Sequence, residues 1–101
     1  MSPAKSGADL PVLAGLLARP GIARALAALG RDGQEARIVG GAVRDALMGR
    51  AVADVDIAVT LPPDAVMALA RQEGWKAIPT GIEHGTVTLI VDGERLELTT
   101  L

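Results

Sequence analysis

Apolar residues recur along this chain at two spacings, and the change between them marks its elements. Leu10, Leu13, Leu16 and Leu17 form one stripe, and Ile22, Leu26 and Leu29 a second, with Arg19-Pro20-Gly21 between them. Positions three and four apart share one side of a helix, so each stripe predicts a helix with one buried face. Asp9 is placed to cap the first helix, with Pro11 tolerated in its opening turn. The second runs over 22–29 and stops at Gly30. Residues 1–8 are polar and aperiodic and read as a disordered lead-in; 9–101 read as one domain.

Period two takes over further on. Residues 36–39 form a short strand ending in Gly40-Gly41, and a helix over 42–48 follows, stopped by Gly49. In a strand over 54–60, Val55, Ile57 and Val59 face one way, while Asp54, Asp56, Ala58 and Thr60 face the other. Leu61-Pro62-Pro63-Asp64 turns into a helix that buries Val66, Met67, Leu69 and Ala70 and ends near Gly74; 76–78 is a brief strand. The last segment is a hairpin, 86–91 and 94–99, around the two-residue turn Asp92-Gly93. That turn sets Val91 opposite Glu94, Leu89 opposite Leu96, Thr88 opposite Glu97 and Val87 opposite Leu98. The order of elements predicts an α+β fold, a mixed β-sheet with helices on one face.

Composition narrows the chemistry. Half of the 101 residues are apolar but only one is aromatic, so Ala, Leu and Val must build the core with Trp75 as its one large plate. The chain has no cysteine, which excludes disulfides and thiolate metal sites and suits a reducing compartment. The first residues lack a secretory signal, and no apolar run reaches the ~20 residues of a membrane span. The expectation is a soluble, cytoplasmic protein. The net charge of −2 supplies no basic footprint, so any grip on RNA must come mainly from elsewhere.

Gly40-Gly41-Ala42-Val43-Arg44-Asp45 lies between a strand and a helix. Two glycines permit a tight turn and leave room for a ligand, and the free N–H groups of a helix start attract anions. Arg44, read in the first helical turn, is disfavoured there by the dipole unless it faces a phosphate or a carboxylate. The same turn also serves as a plain connection, with Arg44 paired to a nearby Asp. Asp54 and Asp56 share a strand face roughly 7 Å apart at the backbone. Their side chains can converge on divalent ions, and oxygen-only ligands point to Mg²⁺. The bland alternative is an acidic solvent face, weakened because acids are poor strand formers and repel each other. Glu97, on the polar face of the hairpin beside Thr88 and Thr99, is a candidate third acid or an exposed strand residue. His84, the only histidine, can be read as a general base or ligand, but more readily as shaping the strand entry or making a supporting hydrogen bond.

The run Ile38-Val39-Gly40-Gly41-Ala42-Val43-Arg44-Asp45, then Leu47, Gly49 and Asp54-Val55-Asp56-Ile57-Ala58, resembles the signature of class II nucleotidyltransferases, the CCA-adding enzymes and bacterial poly(A) polymerases. Leu61-Pro62-Pro63, Thr80-Gly81, His84-Gly85-Thr86-Val87-Thr88 and Glu97-Leu98-Thr99-Thr100 continue it in order. The resemblance implies a polymerase-β-like palm that adds nucleotides from CTP and ATP to the 3′ end of tRNA or another RNA. It implies metal-binding aspartates at Asp54 and Asp56, a triphosphate grip at Gly40, Gly41 and Arg44, a buttress at Asp45, and an acid at Glu97. The sequence stops at Leu101, before the family's motifs for ribose and base and before its neck, body and tail. The expectation is therefore an incomplete head domain with little activity alone. CCA addition, poly(A) addition and a non-catalytic nucleotide-binding module all stay open at this point, and no oligomeric state is indicated.

Overall fold

The computed structural model describes residues 14–49 and 54–101. The lead-in, the Asp9 cap, Pro11, Leu10 and Leu13 lie outside the described residues. Residues 14–17 are helical, and α1 spans Pro20–Leu29. This helix begins two residues earlier than expected. Pro20 fits the first helical position, where a missing N–H is no loss. Gly21 is needed for contact, because a Cβ there would stand 2.2 Å from the Val91 carbonyl oxygen. Gly30 ends the helix without a left-handed turn (φ −98°), its N–H donating to the Leu26 carbonyl.

Next come β1 (Ala36–Val39), α2 (Gly41–Leu47), β2 (Asp54–Val59), α3 (Pro63–Glu73), β3 (Lys76–Gly81), a 3₁₀ turn (Ile82–His84), β4 (Thr86–Val91) and β5 (Glu94–Thr100). The five strands form one sheet in the order β1-β2-β5-β4-β3. All neighbours are antiparallel except β2 and β5, which run parallel, so the sheet is mixed. The hairpin has the expected register at all four predicted pairs. Asp92 (φ 50°) and Gly93 (φ 81°) both take the positive φ of a type I′ turn. β3 is longer than the predicted 76–78 and lies at the sheet edge, where Pro79 costs no ladder bond inside the sheet.

One side of the sheet is covered. Ile22 and Leu29 from α1 and Val66 and Ala70 from α3 pack with Val55, Ile57, Val59, Val87, Leu89, Val91, Leu96 and Leu98. None of these is more than 1% exposed. α1 and α3 thus sit on one face, as the patterning predicts. Trp75 is only partly buried at the edge of this cluster, so the aliphatic residues form the centre. Arg19 grips Glu94 with two nitrogens, and Arg24 reaches Asp92 at 2.9 Å, tying the α1 side to the hairpin end. The hydrogen bond to Glu94 raises the Arg19 pKa, against an opposing effect of burial. Among the described residues, no helix is long and apolar enough to cross a membrane.

Candidate active site

The other side of the sheet carries the polar positions. β2 alternates strictly at its start: Asp54 exposed, Val55 buried, Asp56 exposed, Ile57 buried. Burial of Val55 and Ile57 fixes the register, and a period of two then forces both aspartates onto the open face. The parallel pairing sets Asp56 beside Glu97 and Asp54 beside Arg95. Adjacent strands lie about 4.8 Å apart, so these four side chains form one polar patch.

The glycine turn borders the patch beside Asp56. β1 ends with Val39 paired to Asp56, and the chain reverses at once through Gly40. Gly40 has φ 73° and ψ −148°, a conformation open to glycine and strained for any other residue. A Cβ at Gly40 would stand 2.9 Å from Asp56 Oδ2, so the turn backbone rests against the carboxylate. The hinge and the acid pair, read separately in the sequence, are neighbours in space.

Arg44 departs from its sequence reading. α2 has seven residues, and Arg44 sits fourth, far enough along to belong to the last turn as well. The predicted conflict with the dipole is therefore weak, and so short a helix contributes little positive end of its own. Arg44 is still turned toward the start of α2, because a Cβ at Gly41 would lie 2.9 Å from its Nη2. Its guanidinium is mostly exposed and 3.8 Å from Asp45 Oδ1. Asp45 Oδ2 lies 3.8 Å from the same Gly41 position, so Arg44 and Asp45 flank the second glycine together.

Glu97 is the most anchored of the three acids. Its side chain is 26% exposed, and both carboxylate oxygens lie 2.9–3.0 Å from the Thr88 hydroxyl. Thr88 is fully buried and 3.0 Å from Thr80 Oγ1. The Thr88 proton serves Glu97, so Thr80 donates to Thr88, and a short hydroxyl chain holds the carboxylate. His84 is exposed in the 3₁₀ turn, 3.7 Å from Glu83, and takes no part in the patch.

Sequence reading missed Arg95. Its Nε is 3.7 Å from Asp54 Oδ1 and its Nη2 is 3.5 Å from Glu97 Oε1. A signal existed, since Arg95 stands two residues before Glu97 on one strand and so shares its face. The patch is open rather than enclosed. A cavity of about 370 Å³ lies elsewhere, between the end of α1 and α3, lined by Ala28, Arg31, Gln34, Leu61 and Leu69 among others. Its lining offers no cluster of acids, and the charges on the open face are the stronger indicator of chemistry.

Residues 36–101 match the poly A polymerase head domain family. The chain belongs to that family. Among curated relatives, the head domain is 50% identical over 72 residues to the CCA-adding enzymes of Geobacillus thermodenitrificans and Geobacillus kaustophilus, which covers 71% of this chain and 17% of each relative. The chain thus spans about a sixth of the length of these relatives. It superposes on the Bacillus stearothermophilus CCA-adding enzyme in complex with CTP with a TM-score of 0.66 at 41% identity, over 82% of this chain and 21% of that one. A tRNA nucleotidyltransferase complexed with a primer tRNA and an incoming ATP analog matches with a TM-score of 0.55 at 40% identity, over 67% and 20%. The polymerase-β-like palm expected from the motifs is the fold observed.

The donor set suits a hard divalent cation: carboxylate oxygens only, with Asp54 and Asp56 both exposed. Among the described residues, no three acidic, His or Cys side chains already converge on one point. Arg95 lies between two of the acids instead.

Proposed function

We propose that this head domain carries the catalytic centre of a template-independent nucleotidyltransferase that adds nucleotides from CTP and ATP to the 3′ end of tRNA. The observation that carries the reading is the contact between Gly40 and Asp56. It joins the glycine turn to an acid pair on one open strand face. Asp54 and Asp56 are the residues that would hold Mg²⁺, with Glu97 beside Asp56 as the third acid. When bound, the cation supplies charge stabilisation for attack of an RNA 3′-hydroxyl on the α-phosphate and for the departing pyrophosphate.

The protein's own residues do the placing. Gly40 and Gly41 carry no side chain, so Asp56 and Arg44 close in on the turn where a triphosphate would lie. Arg44 offers a guanidinium fork over Gly41 to the phosphate oxygens, with Asp45 beside it to hold its direction. Catalysis by such a site consists of positioning and electrostatics. Three further points support the reading: relatives named CCA-adding enzymes, a similar structure with CTP, and another with primer tRNA and an ATP analog. These names favour CCA addition over the poly(A) addition suggested by the family description. With no basic footprint in these residues, most of the RNA grip has to come from elsewhere. The cytoplasm is the compartment we assign to this cysteine-free chain.

Thermal shift of this chain with CTP or ATP tests the proposal. With Mg²⁺ and nucleotide at ten times its Kd, the melting temperature should rise by roughly 6–11 °C. EDTA, Asp54→Ala or Asp56→Ala should each remove the rise. An equal rise in Asp56→Ala would refute the metal role, and no rise in any sample would favour a module that does not bind nucleotide.

A further inference from the structure

We propose that Arg95 is a built-in counter-ion for the acidic patch, a guanidinium that competes with a divalent cation for the same carboxylates. The inference rests on the reading of Asp54 and Asp56 as metal ligands. Three acids on one open face repel one another, and something must balance them when no cation is bound. Arg95 stands where that charge is needed, 3.7 Å from Asp54 and 3.5 Å from Glu97. Its place follows from topology alone. On β5 it lies two residues before Glu97, and the parallel register sets it beside Asp54.

The chemistry makes the two cations competitors. A guanidinium has no lone pair to offer a metal and stays charged at any ordinary pH, so it cannot join the ligand set and its charge opposes an incoming cation. It pairs with one oxygen of each acid and can swing aside. The contacts permit this: both distances exceed hydrogen-bond length, and the side chain is 49% exposed. Glu97 stays behind, held by Thr88, while Asp54, at 59% exposure, is free to turn toward Asp56 and the incoming ion. Arg95 thus preserves the patch in its metal-free form and weakens metal binding by competing for the same carboxylates.

Titration calorimetry of this chain with Mn²⁺ tests the idea without any turnover. Arg95→Ala should tighten Mn²⁺ binding by roughly three- to thirty-fold, the scale of two partly exposed ion pairs. Arg95→Lys keeps the charge but loses the planar fork that spans two acids, and should fall between wild type and Arg95→Ala. Arg37→Ala is the control. Arg37 lies on the same face, beside Ala58, but pairs with Glu35, so its loss should change affinity less than two-fold. Equal tightening by Arg37→Ala and Arg95→Ala would reduce the effect to net charge and overturn the proposal. Unchanged or weaker binding in Arg95→Ala, with binding lost in Asp56→Asn, would overturn it while leaving the metal site standing. Wild-type affinity in Asp56→Asn would remove the metal site itself and this inference with it.

Discussion

The two faces of the sheet are built from alternate residues of the same strands, yet they do opposite work. On β2 and β5, Val55, Ile57, Leu96 and Leu98 are at most 1% exposed, pressed under α1 and α3. One residue away on the opposite face, Asp54, Asp56 and Arg95 are exposed and Glu97 is partly exposed. The covered face gains from removal of aliphatic surface from water, at about 25 cal/mol per Å². The opposite face is mostly polar, with Thr88 and Ala58 buried in it, and carries mutual repulsion among its acids. Such residues are tolerated in mid-sheet because the apolar residues between them fix the strand. Stability and chemistry are thereby separated by a single peptide unit, and each should respond to mutation almost without the other.

Substitutions along these strands grade that separation. Leu96→Ala should cost the most, about 2–5 kcal/mol of unfolding free energy by chemical denaturation. The folded fraction should still answer to Mg²⁺ and nucleotide. Gly40→Ala comes next, at about 1–3 kcal/mol for a side chain forced to positive φ. It is the one change expected to cross between faces, because the new Cβ meets Asp56 Oδ2 and should weaken Mn²⁺ binding as well. Thr88→Val should cost about 1 kcal/mol through the lost hydrogen bond. It would free Glu97 to move, visible as greater side-chain mobility of Glu97 by NMR. Asp56→Asn should change stability by no more than about 0.5 kcal/mol and yet abolish metal-dependent nucleotide protection. A destabilisation by Asp56→Asn as large as that of Leu96→Ala would break the distinction between the faces.

Much of this was legible before any coordinates, wherever two local signals agreed. The hairpin could be read to the residue because the Asp92-Gly93 turn and the alternation around it demand one register. The faces of β2 followed from Val55, Ile57 and Val59 alone. Less could be read where the deciding partner was distant. Nothing local announces that β2 runs parallel to β5, so Arg95 beside Asp54 was hidden although both residues were in plain view. α1 starts at Pro20 rather than Ile22 because Gly21 lets the helix lie against Val91, a contact across the whole chain. The glycine turn and the acid pair were each identifiable, but their contact depends on β1 pairing with β2 and ending level with Asp56. Arg44 was read against the dipole of a helix too short for that dipole to matter.

The central claim is that Asp54 and Asp56 bind a divalent cation beside the Gly40 turn, and Mn²⁺ line broadening in the backbone NMR spectrum tests it most directly. At substoichiometric Mn²⁺, the amide signals of Asp54, Asp56, Glu97 and Gly40 should vanish first, and those around Asp64 and Glu73 on α3 should persist. Broadening centred on Glu35, Glu83 or α3, or spread evenly over every surface acid, would contradict the account.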